Sequence, residues 1–190
     1  MTFCGGKRVR MGDMRRWLTL AAAALLLSTA ALAQSVGEKT GVNSALGISP
    51  TTADFFKEVA MSDMTEIAAA KIGQERGNAE EKAFSTQMIA DHTKTSAELK
   101  AMVPAEAKAA IPTALDNSSQ SKIDKLKNAK PDDFSSEFDS MQVSAHKDAV
   151  SLFERYAKGG EDAKLKDWAG KTLPALQHHL EMAQSLGKKK

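Results

Sequence analysis

Five side chains able to bind a metal ion or a proton interrupt the apolar faces predicted for long helical segments. Asp91 and His92 follow Met88 by three and four positions, and residues at that spacing share one face of a helix. The others stand in the apolar stripes of three further segments. Imidazole nitrogens and carboxylate oxygens suit zinc, copper, iron or nickel. The candidate metal ligands are Glu66, Asp91, His92, His146 and His179.

The positions of these residues along their segments suggest that they could meet. Glu66 and His92 each lie about 13 residues into a segment, His146 about 15 and His179 about 18. At about 1.5 Å of rise per residue, the first three coincide within about one turn. His178, in contrast, falls on a polar face. Two interpretations remain open: a hydrogen-bonded core network that fixes helix register, or a metal or redox site.

Several classes of chemistry are disfavoured by the motifs that the sequence lacks. Di-iron bundle proteins use Glu-x-x-His on two helices, and this motif does not occur in the chain. There is also no P-loop, no G-x-G-x-x-G and no G-x-S-x-G. Met61 and Met64 flank Asp63, and thioethers bind Cu(I), but methionine more commonly fills gaps in a core. Whether the protein is an enzyme is left open.

The elements that must position these residues are helices. Segments are predicted from about Thr52 to Gly77, where the lack of a Cβ suits a helix end, and from Ala79 to Val103. A connection with Pro112 leads to a short helix, about Leu115–Asn128. Pro131 opens a fourth segment that ends near Lys158, and the last runs from about Glu161 to Leu186 with Pro174 inside it. An all-α four-helix bundle is therefore expected, with the short helix in the connection between long helices 2 and 3.

The N-terminus has the pattern of an export signal. Arg15 and Arg16 precede an apolar run, and Ala31-Leu32-Ala33 fits a signal-peptidase site. Residues 1–33 are predicted to be a signal peptide, 34–52 a flexible leader and 53–187 the helical domain. Cleavage would leave 157 residues without cysteine and without a stable transmembrane span. The expected location is the periplasm, with outer-membrane association left open.

The charge of the chain argues against a nucleic-acid partner. The whole chain has a formal net charge of +2 and the predicted signal peptide has +4, so the remainder has about −2. A basic surface typical of nucleic-acid binding is therefore not expected. A protein partner, self-association and a metal ion remain open.

Three stretches of the chain resemble the DUF4142 family. They are "DFFKEVAMSDMTEIAAAKIGQERGNAEEKAFSTQMIADHTKTSAELKAMV", "FDSMQVSAHKDAVSLFERYAKGG" and "WAGKTLPALQHHLEMAQSL". The resemblance spans about Ala53–Leu186. It implies an exported bacterial protein with a ferritin-like helical bundle, and it implies no activity, because the function of the family is undefined. The family motif has one histidine before the leucine, which matches His179.

Two functions are left open at this point. The first is a non-enzymatic exported protein with a structural, binding or envelope-stress role, in which the inward histidines form a hydrogen-bonded network. The second is a metal-binding or redox protein that uses the inward glutamate and histidines.

Overall fold

The computed structural model describes residue 38 and residues 41–189, and this part of the chain is helical without strands. The prediction of an all-helical fold is therefore confirmed. Six α-helices are described, with a 3₁₀ turn at Ala105–Ala110 and another at Gly187–Lys189. The helices are α1 (Val42–Leu46), α2 (Thr52–Arg76), α3 (Ala79–Met102), α4 (Asn117–Asn128), α5 (Pro131–Gly159) and α6 (Ala163–Leu186).

Local capping explains where the long helices begin. The Thr51 side chain accepts a backbone N–H at the start of α2. Asn78 and Glu81 form a reciprocal capping box at the start of α3. Pro131 occupies the first turn of α5, where its missing N–H costs nothing, and Asp162 caps α6. The predicted first and last residues of the four long helices agree with the observed ones to within two residues.

Gly77 ends α2 for a different reason from the one expected. Its φ of −69° and ψ of 163° are extended, so no left-handed conformation requires glycine there. A Cβ at this position would lie 2.5 Å from the Gly73 carbonyl oxygen and 2.8 Å from the Glu81 Cβ. Glycine is therefore needed for space in the tight connection between α2 and α3.

The four long helices contact one another in a closed ring. Packing is most extensive between α2 and α3 and between α5 and α6, the two pairs joined by short connections. Contacts between α2 and α5 and between α3 and α6 close the ring. The short helix α4 packs on α2 and α5, and Arg76 at the end of α2 donates to the carbonyl oxygens of Leu126, Lys127 and Ala129. The interior of the ring is thus lined by all four long helices.

Two apolar clusters fill this interior, and a layer of buried polar side chains separates them along each long helix. One cluster includes Phe55, Leu99 and Phe153. The other includes Met88 and Phe138 with the C-terminal part of α6. The buried polar residues between the clusters include Asp63 and Glu66 on α2, His92 on α3, Gln142 and His146 on α5 and His179 on α6.

The part of the predicted leader that the structure describes, residue 38 and residues 41–52, contains a short helix. Residues 34–52 include the helix α1, which contacts α5. Arg155 of α5 forms a bidentate salt bridge with Glu38, with nitrogen–oxygen distances of 2.6 and 2.9 Å, and also donates to the Ile48 carbonyl. The part of the leader that the structure describes is therefore attached to the helical domain. The predicted signal peptide, residues 1–33, lies outside the described residues.

None of the helices that the structure describes is both long and apolar enough to cross a membrane.

Candidate metal centre

Three histidines from three different helices converge in the polar layer. His92, His146 and His179 each offer one ring nitrogen, and these three nitrogens lie within 4.8 Å of one another. Their side chains are almost completely buried, and the ring centroids are 5.6–5.7 Å apart. The arrangement brings together imidazoles that are separated by 33 or more residues in sequence.

His92 is oriented by a carboxylate on the neighbouring helix. Its Nδ1 donates to Asp63 Oδ1 at 2.8 Å, because an ionised carboxylate can only accept. The second oxygen of Asp63 accepts from the Ser96 hydroxyl at 2.8 Å. Burial by itself lowers the pKa of His92, but the bond to Asp63 and the nearby negative charges outweigh it, so the pKa is raised. The Nε2 atom of His92 has no hydrogen-bond partner.

His146 is oriented from within its own helix. Its Nδ1 donates to the Gln142 carbonyl oxygen at 2.9 Å, one turn earlier, and its Nε2 has no partner. Burial, followed by the positive charges on the other two histidines, lowers the pKa of His146 to about 3. The neutral imidazole therefore carries a free lone pair on Nε2 across the physiological range.

His179 has the opposite ring orientation. Its Nε2 donates to Asp91 Oδ2 at 2.8 Å, and its Nδ1 is buried without a partner. Burial lowers the pKa of His179, although the bond to Asp91 opposes this. Asp91 is about one-third exposed and also accepts from Gln87, and the net effect of its surroundings lowers its pKa. Asp91, predicted as a ligand, is placed behind His179 as its hydrogen-bond acceptor.

The three imidazoles therefore share one pattern. Each uses one nitrogen to donate to an acceptor and leaves the other nitrogen buried without a partner. This is how metal-ligating histidines are held in proteins, where a carboxylate or carbonyl fixes the tautomer and the ring orientation. The arrangement can bind a cation that accepts three imidazole lone pairs.

Glu66 contributes a buried carboxyl group to the same layer. It is 2% exposed, and its oxygens have no partner of good hydrogen-bond geometry, although the Gln142 side chain is close enough to interact with them. Burial raises its pKa to about 7, although the positive charge on His92 and the Gln142 side chain oppose the rise. Glu66 is not part of the set of atoms within 4.8 Å, so it lies beside the three histidines rather than among them.

The sequence does not single out Asp63 or Gln142 as site residues, and both are buried in this layer. Asp63 is marked in the sequence only by its place between Met61 and Met64. Asp63 and Gln142 are polar and occur one turn before a predicted site residue, Glu66 or His146, which is the signal that could have indicated them. His178 is 69% exposed, in agreement with its predicted polar face.

The family model that matches the chain is "Domain of unknown function (DUF4142)", over residues 37–186. Because this match covers most of the chain, the protein belongs to the DUF4142 family. The resemblance found in the sequence is thereby confirmed, and the match begins earlier than the expected Ala53. No curated protein and no solved structure matches the chain significantly.

Proposed function

We propose that this protein is an exported metal-binding protein with a ferritin-like four-helix bundle, and that His92, His146 and His179 bind one transition-metal ion in its core. Two observations carry the proposal together: three buried imidazoles each bring one ring nitrogen within 4.8 Å of the others, and each imidazole has one ring nitrogen without a hydrogen-bond partner.

The energetic cost of the arrangement without a cation supports this assignment. A buried polar atom without a partner costs about 1–3 kcal/mol. Three such nitrogens and the Glu66 carboxyl group lie in one layer of the core. A metal ion would satisfy the nitrogens together. A tetrahedral zinc ion with bonds of about 2.0–2.1 Å holds its nitrogens about 3.4 Å apart, so only a small closure of the side chains is required.

The donor set favours a late first-row divalent ion. Imidazole suits zinc, copper, nickel and iron, and affinities at such sites rise toward copper. Glu66 is the candidate fourth ligand, because its charge acts on His92 and its oxygens have no partner of good hydrogen-bond geometry. A di-iron centre is not favoured, because Asp63 and Asp91 are engaged with histidines and the chain has no Glu-x-x-His.

A structural role is the second candidate function, and two contacts favour it. The Asp63–His92 bond joins α2 to α3, and the Asp91–His179 bond joins α3 to α6. Such bonds would fix the register of the helices in a non-enzymatic protein of the cell envelope. A structural role does not explain why one ring nitrogen of each histidine, and the Glu66 carboxyl group, are buried without a good hydrogen bond. The metal-binding function is therefore preferred.

Location in the periplasm is part of the proposal and rests on the N-terminal sequence. The basic residues, the apolar run and Ala31-Leu32-Ala33 are typical of a cleaved export signal. Sequencing the N-terminus of the protein from a periplasmic extract would test it, with Gln34 expected as the first residue.

The deciding experiment is elemental analysis of the natively exported protein, purified without chelator or affinity tag. We expect one equivalent of a transition metal per chain. His146→Leu should abolish it and keep the helical circular dichroism, because it removes a ligand without leaving a carboxylate unpaired. His178→Ala is the matched control and should retain the metal. A metal-free protein that takes up no zinc, copper or nickel on titration would instead support the structural role.

A further inference from the structure

A cavity lies next to Ser96, the residue that donates a hydrogen bond to Asp63. A cavity of about 430 Å³ opens between α2, α3 and the connection that follows α3. This volume falls within the range of about 300–1,000 Å³ found for small-molecule sites. Ser96 lines the cavity with one face of α3, while His92 lies one turn away in the polar layer. The cavity is therefore distinct from the histidine cluster.

The wall of this cavity is apolar in its depth and cationic at its mouth. Leu99, Val103 and Ala60 line it and are buried. Lys100 and Lys108 line it and are exposed, so their charges lie at the solvent side. No acidic residue belongs to the described lining, and neither lysine forms a salt bridge in the described part of the chain.

The polar groups of the lining restrict how a ligand could be held. Ser96 donates its only hydroxyl proton to Asp63, so it can offer an incoming ligand only an acceptor oxygen. In the described lining, Thr113 carries the other hydroxyl group and the positive charges belong to the two lysines, so an anionic head group would be bound at the mouth. Met64 lines the wall beside the buried residues, and its unbranched thioether side chain adapts to apolar ligands of different shape.

We propose that this cavity binds an amphipathic monocarboxylate, such as a medium-chain fatty acid, with its carboxylate at Lys100 and Lys108 and its alkyl chain against Leu99 and Val103. The charge of the mouth and the apolar depth each select one end of such a molecule. This binding does not require a metal ion, so the proposal can be tested independently of metal binding at the histidine cluster.

The test is equilibrium dialysis of the metal-free full domain against radiolabelled hexanoate, octanoate and decanoate below their micelle-forming concentrations. We expect saturable binding of one molecule per chain. Affinity should rise by up to about fourfold for each methylene group taken out of water. An affinity that does not increase from hexanoate to decanoate, or the absence of saturable binding, would overturn the proposal.

Substitutions at the mouth separate the charge from the apolar wall. The double variant Lys100→Gln/Lys108→Gln should weaken decanoate binding about threefold or more and leave decanol binding unchanged, because exposed charge interactions are modest. Lys82→Gln, an exposed lysine of α3 outside the cavity, is the control and should bind decanoate as the unmodified protein does. Equal weakening of decanoate and decanol binding, or unchanged decanoate binding in the double variant, would contradict the placement of the carboxylate.

Discussion

Asp63 of α2 and His92 of α3 are joined by a buried hydrogen bond of 2.8 Å between Oδ1 and Nδ1. Ser96 donates to the other oxygen of Asp63, so both carboxylate oxygens accept a hydrogen bond. Because the bond places a proton on Nδ1 of His92, the lone pair of the neutral ring is on Nε2, which has no hydrogen-bond partner. The contact between α2 and α3 thus sets the tautomer of His92, a proposed metal ligand.

Asp63→Asn is predicted to weaken metal binding while preserving the fold. The amide oxygen can still accept from His92, and the amide nitrogen can donate to the Ser96 hydroxyl oxygen, so both hydrogen bonds can be kept. The negative charge that makes His92 a more basic ligand is lost, and such changes behind a ligand typically cost about 10- to 100-fold in affinity. Isothermal titration of the metal-free protein with zinc measures the change.

The matched control for that substitution is Asp167→Asn. Asp167 is an exposed carboxylate of α6 that pairs with Lys171. It is not one of the buried residues of the polar layer. Its zinc affinity should equal that of the unmodified protein. Equal affinities for Asp63→Asn and the unmodified protein would show that Asp63 does not support a metal ligand.

Glu66 is predicted to make the metal-free protein less stable as pH rises. Its pKa is about 7 in the folded protein and 4.5 as the reference value, so the folded chain keeps a proton that the unfolded chain has lost in this window. The contribution of Glu66 to the free energy of unfolding is fully present below pH 4.5 and is lost as the pH rises through about 7. Between pH 5 and 8 the loss amounts to about 2–3 kcal/mol.

Glu66→Gln removes this titration while keeping the size of the side chain. Urea denaturation at pH 5 and at pH 8, with chelator present, should show a smaller fall in the free energy of unfolding for the variant. The same fall in both proteins would mean that Glu66 is already charged in the folded state at pH 5.

His146 is predicted to make the metal-free protein less stable in acid. Its pKa is about 3 in the folded protein against a reference value of 6.5, so the unfolded chain binds a proton that the folded chain lacks. Stability should therefore fall as pH decreases from 6.5 toward 3, with a slope of up to about 1.4 kcal/mol per pH unit from this group. In urea denaturation over this pH range, the free energy of unfolding of His146→Leu should fall less steeply than that of the unmodified protein. An equally steep fall would show that the pKa of His146 is not lowered in the folded protein.

The helices could be predicted from the sequence because their signals are local. Asn78 with Glu81, and Pro131, mark helix starts through contacts within a few residues. The spacing within single helices likewise placed Glu66 and His92 on inward faces, and both are buried. These predictions needed no knowledge of how one helix lies against the next.

The hydrogen-bond partners within the site could not be predicted in this way. Whether Asp63 meets His92 depends on the axial offset between α2 and α3, which the periodicity of either helix leaves open. Asp91 is adjacent to His92 in sequence and so points about 100° away around the helix, which brings it to His179 on α6. The helix faces were therefore predictable, whereas the roles of the two aspartates required the tertiary structure.

Gly73→Ala is predicted to destabilise the protein although alanine is the better helix former. Gly73 is a buried position of α2, and a Cβ there would lie 2.2 Å from Ser85 Oγ and 2.7 Å from the Phe138 ring. Overpacking of this kind costs about 1–3 kcal/mol, more than the gain of up to about 1 kcal/mol in helix propensity. Thermal denaturation should show a melting temperature lower by about 2–6 °C. Gly170→Ala in α6 is the control, because its Cβ would meet only the Ala157 Cβ at 3.9 Å. That variant should be slightly more stable, and a Gly73→Ala protein that gained as much stability would show that Ser85 and Phe138 can move away from α2 at no cost.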